Sequence, residues 1–134
     1  MKVNTHPCFR IYTENEPGSL AEPSEYLAKE GINVLGYTTG FHQGRPCVWL
    51  VPEDPEAAAP VLEHAGLDIQ MTDVITSQVP NRPGSLANVT SLLGQAGINI
   101  DASFVALDPS EGDPWVVLDV AETDRAQQVL QGAN

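Results

Sequence analysis

PNRPGSLANVTSLLGQAGINI (residues 80–100) and ENEPGSLAEPSEYLAKEGINV (residues 14–34) are one unit written twice, and that reading decides the fold. From Asn15 to Val34 the earlier copy aligns without a gap on residues 81–100. Ten of the twenty positions agree: Asn15, Pro17, Gly18, Ser19, Leu20, Ala21, Leu27, Gly31, Ile32 and Asn33. A repeat this long means a supersecondary unit used in tandem. Each copy opens with a polar turn, continues as an apolar-striped helix and runs into a strand. Pro17 and Pro83 fix φ, while Gly18 and Gly84 allow a positive φ or a close backbone approach. Ser19 and Ser85 are expected to cap the helices, with Glu22 as a capping-box partner in the first copy. Such a helix start offers free N–H groups and a positive dipole end beside the preceding Asn, a place for a small carboxylate. The same residues also make a good strand-to-helix turn with no ligand at all, and both readings stand at this point.

Outward from the first copy, Phe9 and Ile11 alternate with Arg10 and Tyr12, which reads as a half-buried strand over 8–13. Helix one should turn Leu20, Tyr26 and Leu27 inward, and Pro23 should delay or bend it. Strands follow at 32–39 and 46–51 across a turn at 40–45, then a helix over 52–66 and a strand over 67–74. The second copy repeats the order with a strand at 75–79, a helix at 85–96, a strand at 98–106, a loop at 107–114, a strand at 115–120 and a helix at 122–131. Beyond the loop, the register between copies moves from 66 to 68 residues, so Gly66 corresponds to Asn134. The second βαββαβ unit is therefore expected to lack its last strand. Its open edge calls for cover by the N-terminal lead or by another chain. Residues 67–79 hold no linker-like cluster, and two joined domains are expected, 1–74 and 75–134. The fold class is α+β, with antiparallel sheets carrying helices on one face.

The chain has 18 Asp and Glu against 6 Lys and Arg, a formal charge of −12, with the acids split evenly between residues 1–66 and 67–134. That balance excludes nucleic acid and anionic membranes as partners. No apolar run reaches the length of a membrane span, and the N-terminus lacks a signal-peptide core. Cys8 and Cys47 are too few for a disulfide framework, which suits a cytoplasmic protein with free thiols. No spacing among His6, Cys8, His42 and Cys47 matches a zinc knuckle, and no nucleophile stands in a catalytic motif. Neither a metal, a cofactor nor a catalytic residue is expected. Trp49 and Trp115 read as sheet packing.

The βαββαβ order, the turn Asn-x-Pro-Gly-x-Leu and the helix end Gly-Ile-Asn, each present twice, resemble the ACT domain family. The resemblance covers almost the whole chain as a tandem pair. It implies ferredoxin-like units that bind amino acids, regulate metabolic enzymes and have no catalytic activity. The likeness is nearest to the serine-sensing module of phosphoglycerate dehydrogenases. There one Asn in the turn and another eighteen residues on, contributed by partner modules, hold the ligand. Asn15 with Asn33, and Asn81 with Asn99, have that spacing, although Thr13 and Val79 stand where that module has a His. The implied ligand-binding residues are Asn15, Glu16, Pro17, Gly18, Ser19, Leu20 and Asn99 for one site. Those of the other are Asn81, Arg82, Pro83, Gly84, Ser85, Leu86 and Asn33. Backbone N–H groups at Gly18–Leu20 and Gly84–Leu86 would take the carboxylate. With Arg82 and an undisturbed helix, the second turn is expected to bind more tightly than the first, which carries Glu14 and Glu16. The expected partner is a small-molecule amino acid; the alternative is a regulatory or assembly subunit that binds a metabolic enzyme without needing a ligand. An unpaired sheet edge favours a homodimer.

Overall fold

The computed structural model describes residues 2–133. Among them, six strands and four helices make a mixed α+β chain. In order they are β1 (Lys2–Tyr12), α1 (Ala21–Lys29), β2 (Val34–His42), β3 (Arg45–Pro52), α2 (Pro55–His64), β4 (Asp68–Gln78), α3 (Ser85–Gln95), β5 (Ile100–Ala106), β6 (Trp115–Val120) and α4 (Thr123–Gln131). Two compact units emerge: residues 7–72, and residues 73–133 together with 2–6.

In the unit of residues 7–72, β3 pairs antiparallel with both β1 and β2. Facing positions include Phe9 with Leu50 and Tyr12 with Cys47. The leading residues of β4 lie beside β1, where Arg10 Nη1 and the Tyr12 hydroxyl donate to Gln70 Oε1 at 3.0 and 3.1 Å. The strand order is β4-β1-β3-β2. The expected alternation of β1 holds: Phe9 and Ile11 enter a core with Val48, Leu50, Leu27 of α1, and Ala58 and Leu62 of α2. Each fully buried Leu there contributes roughly 1.5–3 kcal/mol. The turn expected at 40–45 contracts to Gln43 and Gly44, at φ 52° and 78°. Two successive positive φ values suit the twist of a tight hairpin, so β2 extends to His42.

Helix one starts late, as expected from Pro23: α3 begins at Ser85, the counterpart of Ser19, but α1 only at Ala21. Pro23 is thus the third residue of α1, and first-turn N–H groups have no intrahelical acceptor to lose. Its ring is buried. In α2 the Asp54 side chain accepts from Ala57 N at 3.1 Å, and Pro55 occupies the first helical position.

In the other unit, β6 pairs antiparallel with β4 and β5. The core joins Ile75, Val116, Leu118 and Val120 to Val89 and Leu93 of α3 and Ala126 and Leu130 of α4. Position for position it matches the first core: Leu93 stands for Leu27, Leu118 for Leu50, Ala126 for Ala58 and Leu130 for Leu62. One pair breaks the match. Ser77 stands where Ile11 does, fully buried, its hydroxyl without a hydrogen-bond partner among the described residues.

The expectation of a missing last strand holds, and the N-terminal lead supplies the cover. The second half has none of its own, but residues 2–6 of β1 cluster with it and Val3 enters its core. The order is β1-β4-β6-β5. Asn134, where the register placed the break, lies outside the described residues. At the other junction β4 runs unbroken for 11 residues, with no linker between the copies. No helix among the described residues is long and apolar enough to cross a membrane.

Candidate functional site

Both turns are closed by their own hydrogen bonds. In the first, Asn15 sits at φ 48° and Gly18 at φ 92°. Asn is among the few side chains that tolerate this left-handed conformation. Ser19 N donates to Glu16 O at 3.1 Å, and Glu16 N donates to Ser19 Oγ at 3.2 Å. In the second turn, Arg82 N donates to Pro80 O at 2.9 Å, a γ-turn around Asn81. Ser85 Oγ donates to the same carbonyl at 2.6 Å.

The expected serine caps are therefore corrected. Leu20 holds the N-cap position of α1 and Gly84, at φ 90°, that of α3; neither helix has a side-chain cap. The capping box with Glu22 is absent as well, its N–H donating to Gly18 O at 3.0 Å. Short serine side chains find nearer partners inside the turn, a local competition that side-chain hydroxyls often win. Ser85 N is also engaged, with Arg82 O at 3.3 Å. The donors left for an anion in the first turn of α3 are Leu86 N and Ala87 N, which have no intrahelical acceptor.

Each turn faces the following hairpin of its own unit across a cleft. The first, about 280 Å³, lies between Thr13, Asn15, Glu16, Ser19 and Leu20 on one side and Thr39, Phe41, Pro46 and Cys47 on the other. The second, about 200 Å³, lies between Val79, Asn81, Arg82, Ser85 and Leu86 on one side and Val105, Pro114 and Trp115 on the other. With the 66- and 68-residue registers, these are the same places in the two copies. The linings differ in kind: Thr13, Glu16, Thr39 and Cys47 give way to Val79, Arg82, Val105 and Trp115. Leu86 does not join the core as an inward residue of α3; it is 57% exposed at the second cleft.

Pro17, Gly18, Pro83 and Gly84 shape the turns and line neither of these clefts. Pro83 and Gly84 instead border a hollow of about 400 Å³ on the other side of the second turn, with Arg82 and Asn88. Asn33 and Asn99 lie at the far ends of their helices, roughly 14 Å from their own turns at 1.5 Å per residue. Both are engaged there. Asn33 Nδ2 donates to Glu53 Oε2 at 3.2 Å, and Asn99 Nδ2 to Asp101 Oδ1 at 3.0 Å.

Behind the second cleft, the loop before β6 is organised by Asp108. Its carboxylate accepts from Ser110 Oγ, from Ser110 N at 2.7 Å, from Gln78 Nε2 at 2.9 Å and from Trp115 Nε1 at 3.1 Å. These bonds, the Ser110 hydroxyl foremost, hold its pKa below the ordinary Asp value. The indole is thereby fixed by its polar edge, and the His6 ring packs 5.4 Å from it. Behind the first cleft the arrangement is different. The Tyr12 hydroxyl lies 2.9 Å from His42 Nδ1, and Arg45 covers the Tyr12 ring while pairing with Asp68 at 2.7 Å. Burial, with Cys47 adding to it, raises the Tyr12 pKa. Sequence reading missed Trp115 and Val105 as cleft residues, and Asp108 behind them. The 68-residue register, which sets Trp115 on Cys47, was the signal that could have found them.

Among solved structures, the chain resembles protein BT0572 from Bacteroides thetaiotaomicron at 27% identity and a TM-score of 0.81, over 98% of this chain and 90% of that one. It also resembles aspartokinase alpha and beta subunits, at 18% identity and a TM-score of 0.61, over 99% of this chain and 97% of that one. The ligand-free regulatory subunit of aspartate kinase from Thermus thermophilus is similar at 18% identity and a TM-score of 0.60, over 98% and 95%. Likeness at 18% identity speaks for the fold alone. No curated protein matches the chain significantly. Residues 72–131, which hold the second turn, its helix and its cleft, match the model of the ACT domain family.

Proposed function

We propose that this is a tandem ACT protein with two ferredoxin-like units, a non-catalytic regulatory module that binds an amino acid at its strand-to-helix turns. The observation that carries this reading is that the same cleft recurs at the same turn in both copies. In the second cleft the ligand carboxylate meets Leu86 N, Ala87 N and the Arg82 guanidinium, and Asn81 orients its polar groups. In the first cleft Asn15 has the corresponding part, but Glu16 opposes an anion. Asn33 and Asn99 would join only by giving up their bonds to Glu53 and Asp101. The likeness to the serine-sensing module supports where a carboxylate sits and leaves the side chain of the ligand open.

Calorimetric titration of the full chain with each of the twenty amino acids tests this reading. Saturable binding that weakens in Arg82→Ala supports it, and twenty flat titrations would end it. A second reading, as the regulatory subunit of a cytoplasmic metabolic enzyme, is favoured by the likeness to regulatory subunits of aspartate kinase. Homodimer formation belongs to the same reading, and a concentration-independent monomer mass would count against it.

A further inference from the structure

We infer that the second cleft selects an α-amino acid with a bulky apolar side chain, an assignment that rests on the proposed amino-acid-binding function. Leu86 and Val105 are exposed at 57% and 61%, and both face this one cleft. Trp115 closes the wall between them. Its indole N–H is already held by Asp108 at 3.1 Å, so it presents ring carbon to a ligand and no donor. Val79 completes an apolar floor.

A single charge, the Arg82 guanidinium, stands at the rim, complementary to a carboxylate and indifferent to the side chain. Clefts for drug-sized ligands run to roughly 300–1,000 Å³. The present space of about 200 Å³ suits a single amino acid. A polar side chain laid against Val105 and Trp115 would lose its water and gain no partner on that wall. An acidic one would place a second anion against hydrocarbon. The first cleft offers Thr39 and Cys47 at the two positions that Val105 and Trp115 hold here, and it lacks the cation.

The experiment is calorimetric titration of the full chain with L-leucine, L-phenylalanine, L-serine and L-aspartate, repeated on Val105→Thr. Val105 is largely exposed, so the variant keeps the core, and its melting temperature serves as the control for folding. The inference expects leucine or phenylalanine to bind at least about tenfold more tightly than serine, with aspartate weakest. It expects Val105→Thr to lose about threefold or more for the apolar ligand and little for serine. Tighter binding of serine or aspartate than of both apolar ligands overturns the inference while leaving the amino-acid-binding function intact. Equal losses for apolar and polar ligands in Val105→Thr also overturn it. Failure of all twenty amino acids to bind removes the function itself.

Discussion

The two turns are built alike, yet the clefts beside them are not. Each pairs an Asn-x-Pro-Gly-Ser turn with the edge of the next hairpin, and each helix packs through the same Leu, Leu27 in one and Leu93 in the other. What changed between the copies is what the clefts show to solvent. Glu16 became Arg82, Thr39 became Val105, and Cys47 became Trp115, or the reverse. The scaffold is kept because core positions answer to packing, whereas cleft positions do not. A cleft can therefore drift to a different chemistry at no cost to the fold.

The core comparison has the largest expected effect. Leu27→Ala and Leu93→Ala should each destabilise by about 2–5 kcal/mol, by lost transfer free energy and a residual cavity. Denaturant unfolding of both variants gives the measure; a gap of several kcal/mol between them would show that the two cores are not equivalent.

Charge exchange between the clefts comes next. Arg82→Glu should weaken binding of an amino acid by about 1.5–3 kcal/mol, roughly ten- to a hundredfold, through loss of a charge-assisted hydrogen bond. Glu16→Arg should do the opposite in the first cleft and create a second binding event. Titration stoichiometry reads both at once. Unchanged affinity in Arg82→Glu would place the carboxylate elsewhere.

A smaller effect concerns Ser77, mismatched with Ile11 in the core. Ser77→Ala should leave stability unchanged or raise it by about 1 kcal/mol, because the buried hydroxyl loses its water without gaining a partner. A clear drop in melting temperature would mean that the hydroxyl does find one.

The smallest is a pH effect of Asp108, which has no counterpart behind the first cleft. Its pKa is depressed, so its stabilising bonds are fully present above the unfolded Asp value and are lost as pH falls through the lower folded one. Melting temperatures of the wild type and Asp108→Asn should therefore differ most near neutral pH. They should converge as pH falls below about 4. A difference that stays constant across that range would mean the carboxylate's charge is not what holds the loop.

Much of this was legible in the residues. The mixed α+β order of the elements and the alternation of Phe9 and Ile11 with Arg10 and Tyr12 both reappear in the structure. Local rules failed where a nearer partner was available, as when the Ser19 and Ser85 hydroxyls closed their turns and left the helices uncapped. They failed also for Leu86, whose helical spacing says inward although it lies at the rim of a cleft. The late start of α1 at Pro23, two residues behind α3 in register, was by contrast legible.

The sequence by itself determined the duplication, the order of the elements and the apolar faces, because periodicity and turn chemistry are local properties of the chain. Only the tertiary structure decided two things. Residues 2–6 pack with the second half, one of the two covers that its missing strand left open. The hairpin residues Val105 and Trp115 meet the turn at Arg82 and Leu86, more than eighteen residues away along the chain. Both are long-range contacts, in which the partner is fixed by the packing of whole elements and not by the residues on either side.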